Sequence, residues 1–84
     1  MVGEHEKRRT VVTVGEQYRV VRDALSFPDG LGFNAGELLT LNSLGYSHYD
    51  SSFAYEFQTD TGTVKTYWLD DADPIEKLIG TFSR

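Results

Sequence analysis

The chain has 84 residues, of which 39% are hydrophobic and 25% charged, a composition typical of one small globular domain. Its formal net charge of -5 disfavours general binding to the phosphate backbones of nucleic acids. No apolar run is long enough to span a membrane. The absence of cysteine excludes disulfides and thiolate metal sites and favours a reducing location, for which we expect the cytoplasm.

The N-terminal region divides into two parts. Met1–Arg9 is polar, and we expect a frayed, flexible tail there, with the domain itself running from residue 10 to residue 84. Thr10–Val14 is β-branched throughout, which favours either a strand or an extended arm that becomes ordered against a partner. The free edge of such a strand would invite pairing, so both a monomer and a homodimer through residues 10–14 stay open.

A first strand is predicted over Glu16–Leu25, where Tyr18 and Val20 share one face. The loop that follows, Ser26–Gly32, contains Pro28-Asp29-Gly30, and these residue types favour a tight turn. Three apolar residues in or beside the loop either fold back over the core or line a shallow groove: Phe27, Leu31 and Phe33.

The segment Phe33–Tyr49 is the one around which the rest of the chain is organised. Its turn, Asn34-Ala35-Gly36, leads into a strand with alternating leucines. Leu44 belongs to the face opposite Leu39 and Leu41 unless a bulge near Ser43 reverses it. We expect this strand to end at Gly45, where a polar, aromatic loop begins.

The clearest alternation with a period of two lies in Phe53–Thr59, where the residues that share one face are Phe53, Tyr55 and Phe57. Asp60-Thr61-Gly62 is typical of a tight hairpin turn, and Thr63–Leu69 returns as the partner strand. We expect Trp68 either in the core or stacked near the polar loop.

A change of structure is predicted after the second hairpin strand. Asp73 is placed to cap a helix that has Pro74 at its first position and Glu76 three residues after the cap. This pattern predicts a short helical turn that stops at Gly80. The alternative is a closing strand over Lys77–Phe82.

Two segments resemble the SH3 fold. Ala24-Leu25 and Phe33–Leu41 follow the SH3 pattern of an Ala-Leu pair and a later Phe-x-x-Gly-Glu-x-Leu-x-Val. The resemblance covers roughly Tyr18–Leu69 and implies a mainly β fold, a small SH3-like barrel of about five strands with a short C-terminal helical turn. Polyproline binding is not implied, because Ser26-Phe27 replaces the expected tyrosine pair and the later aromatic residues of that site are absent.

A second resemblance is to small bacterial domains of unknown function with a Gly-Tyr-Ser and Tyr-Asp loop. The matching residues are Tyr18-Arg19-Val20, Gly36-Glu37, Gly45-Tyr46-Ser47 and Tyr49-Asp50. This resemblance implies no reaction, because the activity of those domains is itself unassigned.

The sequence contains no clear catalytic motif. Serines near His48 and Asp50 suggest a Ser-His-Asp triad, but a triad is assembled by the fold around an oxyanion hole. Neither His5 nor His48 has partners at metal-ligand spacing. The aspartates around Asp71 lack the pattern of a calcium loop. We therefore expect no metal, no cofactor and no enzymatic activity.

A recognition surface is the remaining functional candidate, and its predicted residues are Tyr46, His48, Tyr49, Asp50 and Trp68. Tyrosine and tryptophan supply much of the binding energy at protein interfaces. The sequence therefore predicts a protein-binding module with neither nucleic acid nor membrane as its partner. The alternative is a small acidic inhibitor or immunity-type protein that neutralises a basic partner, with charge steering its association.

Overall fold

The computed structural model describes residues 4–25 and 32–84, which form an antiparallel sheet with helices packed around it. In chain order the elements are α1 (Glu4–Thr10), β1 (Gln17–Val20), β2 (Ala24–Leu25), β3 (Gly32–Phe33), β4 (Leu38–Ser47), β5 (Ser52–Thr59), β6 (Val64–Asp70), α2 (Ile75–Ile79) and β7 (Phe82–Ser83). Within these ranges five strands form one sheet in the order β6-β5-β4-β1-β7, while β2 pairs with β3 separately. The helices of the described part are too short and too polar to cross a bilayer.

The predicted mainly β class is confirmed, but the SH3-like barrel is not. Strands β6 and β7 lie at opposite edges of the sheet and do not pair with each other within the described residues. On the β7 side, β1 has four residues and β7 has two, so few backbone groups are present with which β6 could close a barrel. The sheet is therefore open.

The alternation predicted for the longest hairpin is confirmed. Phe53, Tyr55 and Phe57 are all buried on one face of β5, and Leu41 of β4 pairs directly with Phe57. The register of β4 against β5 shifts between Leu41 and Ser43, which is the bulge that the sequence allowed. The shift turns Leu44 onto the core side, where it packs against the buried cluster.

Aromatic rings fill the centre of the core. Phe33 is fully buried and meets Phe57, Tyr67 and Phe82 edge-on, with ring centroids 6.0, 5.9 and 5.3 Å away. Such pairs contribute about 0.5–1.5 kcal/mol each beyond their buried area. Phe33 thus packs into the core as one of the two alternatives proposed, whereas the companion predictions for Phe27, Leu31 and the Pro28-Asp29-Gly30 turn lie outside the described residues.

The N-terminal region differs from its prediction. Where a frayed tail was expected, residues from Glu4 to Thr10 form α1, because Arg8 is buried and bonded to the rest of the domain. Thr10–Val14 forms no strand, since Thr10 belongs to α1 and the described residues after it are bends and turns. Pairing of two chains through residues 10–14 stays a prediction, but the strand edge on which it depended is not formed.

Two strand boundaries also differ. The strand predicted over Glu16–Leu25 is divided into β1 and β2, because Val21 leaves the sheet and donates its backbone N–H to Thr81. Strand β4 continues past Gly45 to Ser47, because Gly45–Ser47 pairs with Ser52–Ala54 of β5. Tyr46 is therefore a strand residue and not a loop residue.

The predicted C-terminal helical turn is confirmed as α2, which ends at Ile79 with Gly80 as its C-cap, and β7 follows it. The predicted cap is wrong. Pro74 occupies the N-cap position without any side-chain cap bond. The Asp73 carboxylate is instead engaged by the backbone N–H of Asp70 at 3.1 Å and by the Lys77 ammonium at 3.5 Å.

Candidate functional site

The β4–β5 hairpin ends in the turn His48–Ser51, called the tip below. The Ser47 hydroxyl donates to the Asp50 carboxylate at 3.0 Å and accepts the Asp50 backbone N–H at 3.2 Å. The Ser52 hydroxyl donates to the Asp50 carbonyl at 3.0 Å. Ser51 has a φ of 51°, in the left-handed region that non-glycine residues rarely adopt. The tip is therefore a specific turn held by several side-chain hydrogen bonds.

Tyr49 lies at the outermost point of the tip with 98% of its surface exposed. His48 beside it is also exposed, and its ring meets the ring of Tyr46 edge-on with centroids 4.9 Å apart. The tip thus exposes the Tyr49 side chain to solvent, and the Tyr46–His48 ring pair lies at its base.

Tyr46 connects this base to the core. Its ring is half-buried and packs against Phe53, with centroids 4.9 Å apart. Its hydroxyl donates to the Asp71 carboxylate with an oxygen–oxygen distance of 2.5 Å. This bond to a carboxylate raises the pKa of the Tyr46 phenol above its usual value, so the hydroxyl stays protonated across the neutral range.

Trp68 lies apart from the other predicted site residues. Ala54 pairs across the strands with both Gly45 and Trp68, so these three residues share the face of the sheet that points away from the core. Phe53 pairs with Tyr46 on the opposite, core-facing side. Trp68 is half-buried on the outer face and not in the core, and its stacking near the loop stays a prediction.

Acidic side chains surround the tip. We call Asp70–Asp73, which connects β6 to α2, the acidic turn. Asp71 donates its backbone N–H to the Ser51 carbonyl at 2.9 Å, which joins the acidic turn to the tip. The Ser52 hydroxyl lies 3.5 Å from the Asp70 carboxylate. Among the described residues, no three histidine, aspartate or glutamate side chains gather as metal ligands would.

Sequence reasoning missed Arg8, whose side chain reaches the acidic turn. Its guanidinium donates to the backbone carbonyl of Asp70 at 2.9 Å and to that of Asp73. Its own carbonyl accepts the Tyr55 hydroxyl at 2.7 Å in a buried hydrogen bond. Nothing in the sequence distinguished Arg8 from its charged neighbours, because a short polar segment carries no apolar periodicity.

A second buried cation lies at the other end of the sheet. The Lys65 ammonium is 2.8 Å from the Glu37 carboxylate and donates to the Gly32 carbonyl at 2.8 Å. Partial burial raises the pKa of Glu37, but the hydrogen bond from the Asn34 backbone and the interaction with Lys65 outweigh it, so the net pKa is lowered. Lys65 thus links β3 and the residue before β4 to β6. These contacts lie far from the tip along the sheet.

Comparison with known proteins gives a fold but no family. No protein-family model matches this chain. No curated protein sequence matches it either. The fold is similar to the solved structure of an integron cassette protein from the mobile metagenome of Vibrio cholerae, with a TM-score of 0.67, 19% sequence identity and 87% of each chain covered. At that identity the similarity shows a shared small β-sheet fold alone.

Proposed function

We propose that this protein is a small bacterial, non-enzymatic binding module of the cytoplasm that engages a protein partner through the tip. The observation that carries the proposal is Tyr49, which is 98% exposed on a turn held by side-chain hydrogen bonds. An aromatic side chain placed in this way contributes nothing to the core of its own domain.

Burial of such a side chain by a partner is favourable for two reasons. Removing a large apolar side chain from water stabilises a complex by about 1.5–3 kcal/mol. A tip that is already ordered loses little conformational entropy on binding, which retains more of that gain as affinity. His48 and Asp50, on either side of Tyr49, would then contact the rim of the partner's pocket.

A second candidate is an acidic inhibitor of a basic protein. It is favoured by the carboxylates of Asp50, Asp70 and Asp71 around the tip, together with the net charge of -5. Like-signed charges around a contact surface speed association with a basic partner and make it sensitive to salt. The two candidates share one surface and differ in the charge of the partner.

Site-specific crosslinking tests the proposal. The photoreactive residue p-benzoylphenylalanine would replace Tyr49 in one protein and Thr61, on the opposite turn, in the control. We expect the photoreactive residue at position 49 to crosslink to one discrete partner protein, and the one at position 61 to crosslink to none. Equal crosslinking from both positions, or none from position 49, would contradict a binding role for the tip.

Affinity for the captured partner then separates the two candidates. Tyr49→Ala is expected to weaken binding by roughly 5- to 30-fold, which corresponds to about 1–2 kcal/mol, without changing the melting temperature. The matched control is Thr61→Ala. Raising the ionic strength from about 0.01 M to about 1 M shortens the Debye length from about 30 Å to about 3 Å. A collapse of the association rate over that range favours the acidic inhibitor, and a constant rate favours a partner without strong charge.

A further inference from the structure

Helix α1 and the tip are connected through a chain of hydrogen bonds, although 40 residues of sequence separate Arg8 from His48. The first step joins α1 to the acidic turn. Arg8 is 1% exposed, and its guanidinium binds the carbonyls of Asp70 and Asp73 at the two ends of that turn. A planar guanidinium can hold two carbonyl groups at once, which a single ammonium holds less specifically.

The backbone of Arg8 is fixed as well as its side chain. The buried Tyr55 hydroxyl donates to the Arg8 carbonyl at 2.7 Å. Burial raises the pKa of the Tyr55 phenol, so this hydroxyl remains a donor at neutral pH. Arg8 is thus held between the middle of β5 and the acidic turn.

The second step joins the acidic turn to the tip. The Asp71 N–H donates to the Ser51 carbonyl at 2.9 Å, and the Asp71 carboxylate accepts the Tyr46 hydroxyl. Ser51 is the last residue of the tip, and Tyr46 supports His48 at its base. Asp71 therefore contacts both sides of the segment that carries Tyr49.

We infer that Arg8 is a positioning residue for the tip: it fixes the acidic turn, and the acidic turn fixes the backbone and the aromatic base from which Tyr49 projects. The consequence for a partner rests on the proposed function, whereas the effect on the tip itself does not. The rival explanation is that Arg8 stabilises the whole domain equally, as any buried group would.

Amide hydrogen exchange separates these explanations within one molecule. The Asp71 N–H reports on the contact between the acidic turn and the tip, and the Gly62 N–H, which donates to the Thr59 carbonyl at 3.0 Å, reports on the opposite turn. In Arg8→Met we expect exchange at Asp71 to accelerate by about tenfold or more relative to Gly62, as expected for loss of hydrogen bonds to a charged group. Lys7→Met, which removes an exposed charge from the same helix, should leave the ratio unchanged.

Two further variants keep the inference testable if Arg8→Met does not fold. Arg8→Lys retains the charge but loses the planar group that binds both carbonyls at once. Tyr55→Phe removes the hydrogen bond to the Arg8 carbonyl and leaves the guanidinium in place. Each should raise the Asp71-to-Gly62 exchange ratio by less than Arg8→Met. Equal acceleration at both amides, or no acceleration at Asp71, would overturn the positioning role.

The inference and the proposed function fail in different experiments. The exchange ratio needs no partner, so it judges the role of Arg8 alone. Crosslinking from position 49 in the otherwise unchanged protein judges the binding role of the tip alone. Where both hold, Arg8→Lys should lower the crosslinking yield from position 49, and Lys7→Met should leave it unchanged.

Discussion

The two turns that flank β5 both require a residue with positive φ, but they use different residue types for it. Each places a residue in the left-handed region: Ser51, with a φ of 51°, at the tip, and Gly62, with a φ of 92°, at the opposite turn, Asp60–Gly62. For a residue with a side chain this conformation costs roughly 1–2 kcal/mol, whereas glycine adopts it freely. The strained turn is the one that exposes Tyr49, which agrees with the tendency of backbone strain to occur at functional sites.

The buried cations at the two ends of the sheet also bind different kinds of group. At the tip end, Arg8 binds neutral backbone carbonyls, whose hydrogen bonds do not depend on pH. At the opposite end, Lys65 binds the Glu37 carboxylate, whose charge is lost in acid. The contact that Arg8 makes is therefore independent of carboxylate ionisation, whereas the contact between Lys65 and Glu37 is weakened in acid.

The largest expected effect tests the tip end. Arg8→Met removes the guanidinium donor from the carbonyls of Asp70 and Asp73 and should lower the free energy of unfolding by about 2 to 3 kcal/mol, measured by urea denaturation. Lys7→Met, at an exposed position of α1, should change it by less than about 0.5 kcal/mol. Equal losses in both variants would show that the tip end does not depend on Arg8.

The next effect tests the opposite turn. Gly62→Ala forces a side chain into the left-handed region and should destabilise the domain by roughly 1–2 kcal/mol in the same urea measurement. Gly45→Ala is the matched control, because a Cβ at Gly45 meets nothing within 4 Å and its φ lies outside that region. If both substitutions cost the same, the conformation of Gly62 is not what requires glycine there.

Ser51→Gly should act in the opposite direction and remove the asymmetry between the turns. Relief of the strained φ is expected to raise the free energy of unfolding, by up to about 1 kcal/mol after the greater entropy of the unfolded chain and the lost hydrogen bond between Ser51 and Tyr46 are subtracted. Thermal and urea unfolding both measure this gain. Ser43→Gly is the control: its φ is not in the left-handed region, so glycine there should destabilise by about 0.5–1 kcal/mol.

The smallest effect is the pH dependence of the opposite end. Because the pKa of Glu37 is lowered in the folded state, its ionisation stabilises the domain fully above the unfolded value of 4.5, and this contribution is lost as pH falls through the folded pKa. The stability difference between the native protein and Glu37→Gln should therefore be constant at neutral pH and shrink in acid. Urea midpoints measured from neutral pH downward test this, with Glu76→Gln, at an exposed position of α2, as the control. A stability difference between the native protein and Glu37→Gln that stays constant in acid would contradict this prediction.

Sequence periodicity predicted the strands well because it is a local property. Phe53, Tyr55 and Phe57 alternate within one segment, and all three are buried as expected. Alternation does not, however, say which face of a strand meets the core. In β6 the buried face carries Lys65, whose charge Glu37 neutralises, and the tryptophan lies on the other face.

Features that depend on distant pairing were beyond the sequence. Closure into a barrel is decided by the two edges of the sheet, and no local pattern reports that β7 has only two residues. The role of Arg8 depends on carbonyl groups 62 and 65 positions away. Local sequence places His48, Tyr49 and Asp50 in one turn, whereas grouping them with Trp68 required knowing which face of β6 it occupies, and their role in binding stays a prediction.

The position of Phe82 sets the order in which this domain can be completed during synthesis. Its ring stacks on Phe57 with centroids 4.4 Å apart, and its backbone pairs with Val20 at the edge of the sheet. A nascent polypeptide that has emerged from the ribosome only as far as β6 lacks this ring. One side of its aromatic cluster, including Phe57, is then exposed to water. Closure of the native structure must therefore wait until residue 82 has cleared the exit tunnel.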